Sequence, residues 1–138
     1  NQIPDTWAEF VKLAQKMTKY NARGEVERAG FAFNGYGNLL FNDLMYQLGN
    51  PTFKDGGKAV DWDNENGVRA AELLYNMLHV DNVNSPSFLG FTEAFGTEHA
   101  AMTYAWTWFR GFMDDTYPDV NYGVKPLPTW TGSRTPAG

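Results

Sequence analysis

The segment Ala100–Gly111, AAMTYAWTWFRG, constrains the fold of this chain more than any other. Its small-residue start leads into Met102, Tyr104 and Trp106 at period two, the pattern of a half-buried β-strand. Trp108 and then Arg110 follow at once. A strand that ends in aromatic rings with a cation just beyond builds a mouth rather than an interior. Two indoles cost free energy when left wet, yet each carries an N–H that needs a partner when buried. Flat apolar faces beside hydrogen-bonding groups suit a sugar ring, whose C–H faces are apolar and whose rim is hydroxyl. The competing reading places both indoles in the core.

A chain of 138 residues is one domain's worth and can bury a core. Its net charge of −5, with 11 scattered Lys and Arg, argues against nucleic acid as a partner because no basic face is built. No apolar run approaches the roughly 18 residues of a membrane span. The absence of cysteine is compatible with an oxidising compartment without establishing one. The chain opens on Asn1-Gln2 with no initiator Met and no leader, and reads as a segment of something longer.

Thr6-Trp-Ala-Glu9 has the form of a capping box, and Trp7, Phe10, Val11, Ala14 and Met17 follow at helical spacing, which predicts a helix over 7–19. Residues 21–28 read as a loop. Gly30–Phe33 (GFAF) is a short buried strand, and Asn34-Gly-Tyr-Gly-Asn38 a glycine-rich turn beyond it. Leu39, Leu40, Leu44, Met45 and Leu48 mark a second helix, stopped by Gly49-Asn50-Pro51. A turn at Asp55-Gly-Gly precedes a short strand at 59–62. Asp63 or Asn64 caps a third helix over 66–79, whose apolar face is Val68, Ala71, Leu74, Tyr75 and Leu78. Residues 91–95 form a helical turn, the aromatic strand follows, and a helix starts near Thr107. Asn121–Leu127 (NYGVKPL) is a last strand, and the Pro-, Gly-, Ser- and Thr-rich tail from Pro128 reads as the start of a connection. Strands separated by helices make the chain α/β.

Other constellations are weaker. Asp61-x-Asp63-x-Glu65 with Glu72 imitates a calcium loop, but Asn66 stands where that loop needs glycine, so helix capping is the better reading. His79 and His99 lack neighbouring ligands, so no metal site is expected. Asp114 with Glu93 or Glu98 could form a glycosidase carboxylate pair, the alternative of an enzyme class. Gly35-x-Gly37 is too short for a dinucleotide fingerprint, no nucleophile elbow or phosphate loop is present, and no cofactor is implied.

Four segments together carry a family resemblance: Ile3-Pro-Asp-Thr-Trp-Ala-Glu-Phe, the GFAFNG strand, Glu93-Ala-Phe followed by Ala100-Ala-Met-Thr, and Asn121-Tyr-Gly-Val-Lys-Pro-Leu-Pro. In order and spacing the chain resembles the C-terminal lobe of the bacterial extracellular solute-binding proteins of sugar ABC importers, the group that includes maltose-binding protein. The third segment in that family reads roughly F-x-x-G-K-A-A-M-x-x-x-G-x-W. Phe95, Ala100, Ala101, Met102 and Trp108 match, while Glu98 and His99 replace Gly-Lys and Trp106 replaces the later glycine.

The resemblance implies one lobe, residues 1–138, of a two-lobe periplasmic-binding-protein-like fold, with a short sheet flanked by helices. It implies a binding protein rather than an enzyme, on the outer side of the cytoplasmic membrane (periplasmic or lipid-anchored). Its partners would be a sugar or oligosaccharide and an ABC permease. Trp108 carries the family's stacking role; Trp106 and Tyr104 are expected to add faces, and Tyr36 and Asn38 to line the cleft. Asn34 and Arg110 join Tyr36 and Asn38 as expected hydroxyl partners. A lobe adapted to a non-sugar ligand, such as a peptide or polyamine, is the remaining alternative.

Overall fold

The computed structural model describes residues 3–133. Among them are five helices: α1 (Trp7–Met17), α2 (Gly37–Gln47), α3 (Glu65–His79), α4 (Phe91–Gly96) and α5 (Trp108–Thr116). Two small antiparallel hairpins join them, β1 (Lys19–Tyr20) with β2 (Val26–Arg28) and β3 (Phe53–Lys54) with β4 (Ala59–Val60). The architecture is mixed α/β, as expected for a single lobe of a solute-binding protein.

Two capping signals act where the sequence puts them, whereas Thr107 starts α5 without a side-chain cap bond. Thr6 Oγ1 accepts the Glu9 backbone N–H at 3.3 Å and donates to Glu9 Oε2 at 3.0 Å, starting α1. Asn64, not Asp63, caps α3 by accepting the Gly67 N–H at 3.0 Å. The buried stripe of α3 runs through Gly67, Ala70 and Met77, with Leu73, Leu74 and Leu78 half-buried. The expected face is therefore rotated: Val68, Ala71 and Tyr75 point to solvent. Two contacts fix that rotation. A Cβ on Gly67 would lie 1.9 Å from the Trp62 carbonyl oxygen, and Asn66 donates to Asn50 Oδ1 at 3.2 Å.

Residues 29–33 and 99–104 form the spine on which the helices pack. They pair in parallel, as bridges Ala29 with Ala100 and Ala32 with Thr103, rather than as the continuous strands the alternation predicts. The break has a local cause. Ala29 and Ala32 bond toward 99–104, whereas the Gly30 and Phe31 N–H groups turn to the Val83 carbonyl, at 2.8 and 3.4 Å. Gly30 is required there, since a Cβ would sit 2.0 Å from the Ala14 carbonyl oxygen of α1. Period two holds only beyond the break, where Phe31 and Phe33, with Met102 and Tyr104, face a core built with α1, α2 and α3. Ala29, Ala32 and Ala100 face a second core with Phe91, Ala94, Phe109 and Met113.

Three further expectations change. The 21–28 loop contains β2, because Asn21 Oδ1 accepts the N–H groups of Arg23 and Glu25 at 2.9 and 3.0 Å and folds the chain back as a hairpin. The strand expected at 59–62 stops at Val60, and its partner Phe53–Lys54 is additional. The NYGVKPL segment is not a strand: Pro126 and Pro128 offer no N–H to a ladder, and only Thr129 pairs, in a bridge to Thr6. Lys125 secures that segment instead, reaching Asp5 Oδ1 at 3.0 Å and the Ile3 carbonyl. Asn1, Gln2 and the tail beyond Ser133 lie outside the described residues.

Candidate functional site

Tyr104 stands where the spine meets α5, and the chain between Ala105 and Trp108 turns outward. The turn closes with the Phe109 N–H on the Trp106 carbonyl at 2.9 Å. Trp106 thus falls just before α5 and Trp108 on its first residue. Both indoles are 45% exposed, so neither is a core residue.

Around them an aromatic platform assembles from three parts of the chain. Tyr36, at the start of α2, meets Phe91 of α4 edge-on, with ring centroids 4.7 Å apart, and the Trp106 indole at 5.7 Å. Phe91 in turn meets Trp108 edge-on at 6.3 Å. From within α5, Phe109 and Phe112 support Trp108 at 5.8 and 6.2 Å, again by their edges. Edge-to-face contacts of this kind orient the indole while leaving it 45% exposed. Tyr36, Phe91, Tyr104, Ala105, Trp106 and Trp108 line a shallow surface depression that encloses no room for even a water molecule. Such a surface can accept a flat, partly apolar ring, but cannot enclose one.

The structure brings together four of the expected site residues, Tyr36, Tyr104, Trp106 and Trp108. Tyr104 plays a different part from the one expected. It is 3% exposed, so it offers no open face. Its hydroxyl donates to Asp43 Oδ2 at 2.6 Å and accepts the Trp106 indole N–H at 3.0 Å. Burial first, then the bond to Asp43 and the charge of that carboxylate, push the phenol well above its ordinary pKa, against a smaller opposing effect of the Trp106 N–H. Tyr104 therefore remains a hydrogen-bond donor at neutral pH.

The other three expected residues lie away from the platform. Asn34 is committed internally. Its amide donates to the carbonyls of Ser85 and Phe88, at 2.9 and 3.3 Å, and its oxygen accepts from Asn84, which ties down the 84–88 loop. Asn38 is exposed on the first turn of α2 but does not line the depression. Arg110 lies on α5 outside the platform, 3.8 Å from Asp114, beside an open groove that also touches Val120, Asn121, Tyr122 and Val124. Glu93 and Glu98 are exposed, and Asp114 is occupied with Arg110. Asp61 of the calcium-like motif pairs with Lys54 at 3.2 Å. Among the described residues no cluster of three His, Asp or Glu side chains could hold a metal ion.

Two participants escape the sequence. Phe91 forms the floor between Tyr36 and Trp108; its place in a short aromatic-rich helix gives a weak signal, since such residues are ordinarily core. Asp43 carries no signal at all, because one acid on an amphipathic helix reads as a solvated position.

No solved structure matches the chain. The family described as bacterial extracellular solute-binding protein matches residues 1–138. With that match spanning the chain, and with an exposed aromatic platform at one end of an α/β lobe, the protein belongs to the bacterial extracellular solute-binding proteins, a transport-related family that captures ligands.

Proposed function

We propose that this chain is one lobe of the sugar-binding component of an ABC importer, and that the Trp106–Trp108 platform forms one wall of its ligand cleft. The observation that carries the reading is the pair of half-exposed indoles, set in place by ring contacts with Tyr36, Phe91, Phe109 and Phe112. Rings of this size gain roughly 25 cal/mol per Å² of apolar surface removed from water, and sugar C–H faces supply such surface.

The mechanism needs no chemistry on the ligand. A sugar first lies on the open platform, where its hydroxyls keep their water. Closure of a second lobe over it removes that water, adds polar partners, and stabilises the closed state in proportion to the difference in affinity between closed and open forms. The permease then distinguishes loaded from empty protein by the shape of the closed form. A thermal-shift panel of mono- and oligosaccharides on the two-lobe protein tests the reading, because a ligand that binds the native state raises its melting temperature by mass action. A rise with at least one sugar supports it; a rise only with peptides or polyamines replaces it with a different ligand class.

A further inference from the structure

The Trp106 indole is not held by packing alone. Its N–H donates to Tyr104 Oη at 3.0 Å, and the Tyr104 hydroxyl donates onward to Asp43 Oδ2 at 2.6 Å. This gives a directed chain from the platform to α2. The ion pairs found among the described residues employ Glu25, Asp61, Asp114 and Asp5, and none employs Asp43. The carboxylate is thus available to the phenol, and a charged acceptor makes a shorter and stronger bond than a neutral one.

We propose that Asp43 is a positioning residue for Trp106: it fixes the direction of the Tyr104 hydroxyl, which leaves a phenol lone pair as acceptor for the indole N–H and so sets the indole's orientation. The logic is one of proton direction. A phenol has a single O–H and can send it only one way. Without the carboxylate, the hydroxyl can rotate away, and the lone pair facing Trp106 is no longer guaranteed. The raised pKa of Tyr104 agrees with this order, since the phenol keeps its proton and Asp43 remains the acceptor. A side chain more than half removed from solvent on one side and wet on the other has alternative rotamers available to it. One directed hydrogen bond selects among them. Resting on the sugar-binding reading, the consequence for function is preorganisation: a wall already in place costs less entropy to use.

The structure also supplies the controls. Two other indoles bond to residues of α2 close to Asp43: Trp7 Nε1 donates to Gln47 Oε1 at 2.9 Å, and Trp130 Nε1 to the Leu44 carbonyl at 3.1 Å. The experiment is indole N–H hydrogen exchange in the full-length protein labelled with 15N-tryptophan, with the Trp106 signal assigned by its loss in W106F. In Asp43→Ala the Trp106 N–H is expected to exchange about fivefold to tenfold faster, the scale of one hydrogen bond, while Trp7 and Trp130 stay unchanged. Asp43→Asn, which keeps an acceptor oxygen for Tyr104, is expected to return exchange toward the parent value, and Tyr104→Phe to speed it as Asp43→Ala does. An unchanged Trp106 rate in Asp43→Ala overturns the proposal. So does a rise at Trp7 and Trp130 equal to that at Trp106, which would make Asp43 merely a stabiliser of α2. Should Asp43→Ala fail to fold, the comparison of Asp43→Asn with Tyr104→Phe decides: equal acceleration in both overturns the proposal. None of these readouts uses a ligand, so they stand or fall apart from the sugar-binding reading.

Discussion

Trp108→Ala is the sharpest perturbation of the platform, and its size follows from the packing. A tryptophan presents about 150–250 Å² to its surroundings when fully buried. Trp108 is 45% exposed in the lobe, so roughly 100 Å² remains to be covered by a ligand. At about 25 cal/mol per Å² that is roughly 2.5 kcal/mol, or roughly 70-fold in affinity. A sugar face is less apolar than a hydrocarbon and covers only part of the ring, so the expected loss lies between about tenfold and this upper figure. The fold should survive. The other half of the indole touches Phe91, Phe109 and Phe112 by ring edges, and losing it costs about 2 kcal/mol, half the penalty of truncating a fully buried aromatic. Isothermal calorimetry on the two-lobe protein, with the tightest sugar from a panel, reads the affinity, and circular dichroism confirms the fold. Trp108→Phe should fall between parent and alanine variant, because a smaller ring keeps some of the face. A folded Trp108→Ala protein that binds within about twofold of the parent refutes the reasoning.

Three other outcomes follow from the same contacts. Gly30→Ala is expected to destabilise the lobe by about 3 kcal/mol or prevent folding, because its Cβ would overlap the α1 backbone at Ala14; a denaturation midpoint equal to the parent's contradicts this. Tyr104 holds its proton more tightly folded than unfolded, so its contribution to stability is complete below its ordinary pKa of 10.0 and is lost as pH rises beyond that. Urea unfolding should therefore lose more stability between neutral pH and pH values above that pKa in the parent than in Tyr104→Phe, and equal losses would exclude the effect. The 138-residue lobe produced alone is expected to fold on its two cores yet bind the sugar at least about 100-fold more weakly than the two-lobe protein, since one wall leaves the ligand hydrated; near-equal affinities in a titration would place the whole site in this segment.

The helices are legible in the sequence because their signals are local. The Thr6–Glu9 box, the Asn64 cap and the runs of apolar residues at helical spacing each act within a few neighbours. What the pattern leaves open is set by distant partners. The rotation of α3 depends on Gly67 meeting the Trp62 carbonyl, and the interruption of the spine depends on Val83 drawing the Gly30 and Phe31 N–H groups away from the ladder. The hairpin at Lys19–Arg28 escapes because two- and three-residue strands have no measurable period. The site divides in the same way. The exposed indoles and Tyr36 can be read from aromatics clustered beside a glycine-rich turn. By contrast, the burial of Tyr104, the internal commitment of Asn34 and the pairing of Arg110 with Asp114 are decided by residues far apart or on another turn. Asp43 enters only through the tertiary contact with Tyr104, 61 positions away.

The central claim is that sugars bind on the Trp106–Trp108 platform, and a direct test follows those two indoles while ligand is added. With 15N-tryptophan labelling and signals assigned through W106F and W108F, the two-lobe protein is titrated with a panel of mono- and oligosaccharides. The account predicts that at least one sugar shifts the Trp106 and Trp108 signals saturably, leaves the buried Trp7 signal in place, and raises the melting temperature in parallel. Saturable sugar binding that leaves both platform indoles unmoved, or a panel in which no sugar binds while a peptide or polyamine does, would contradict it.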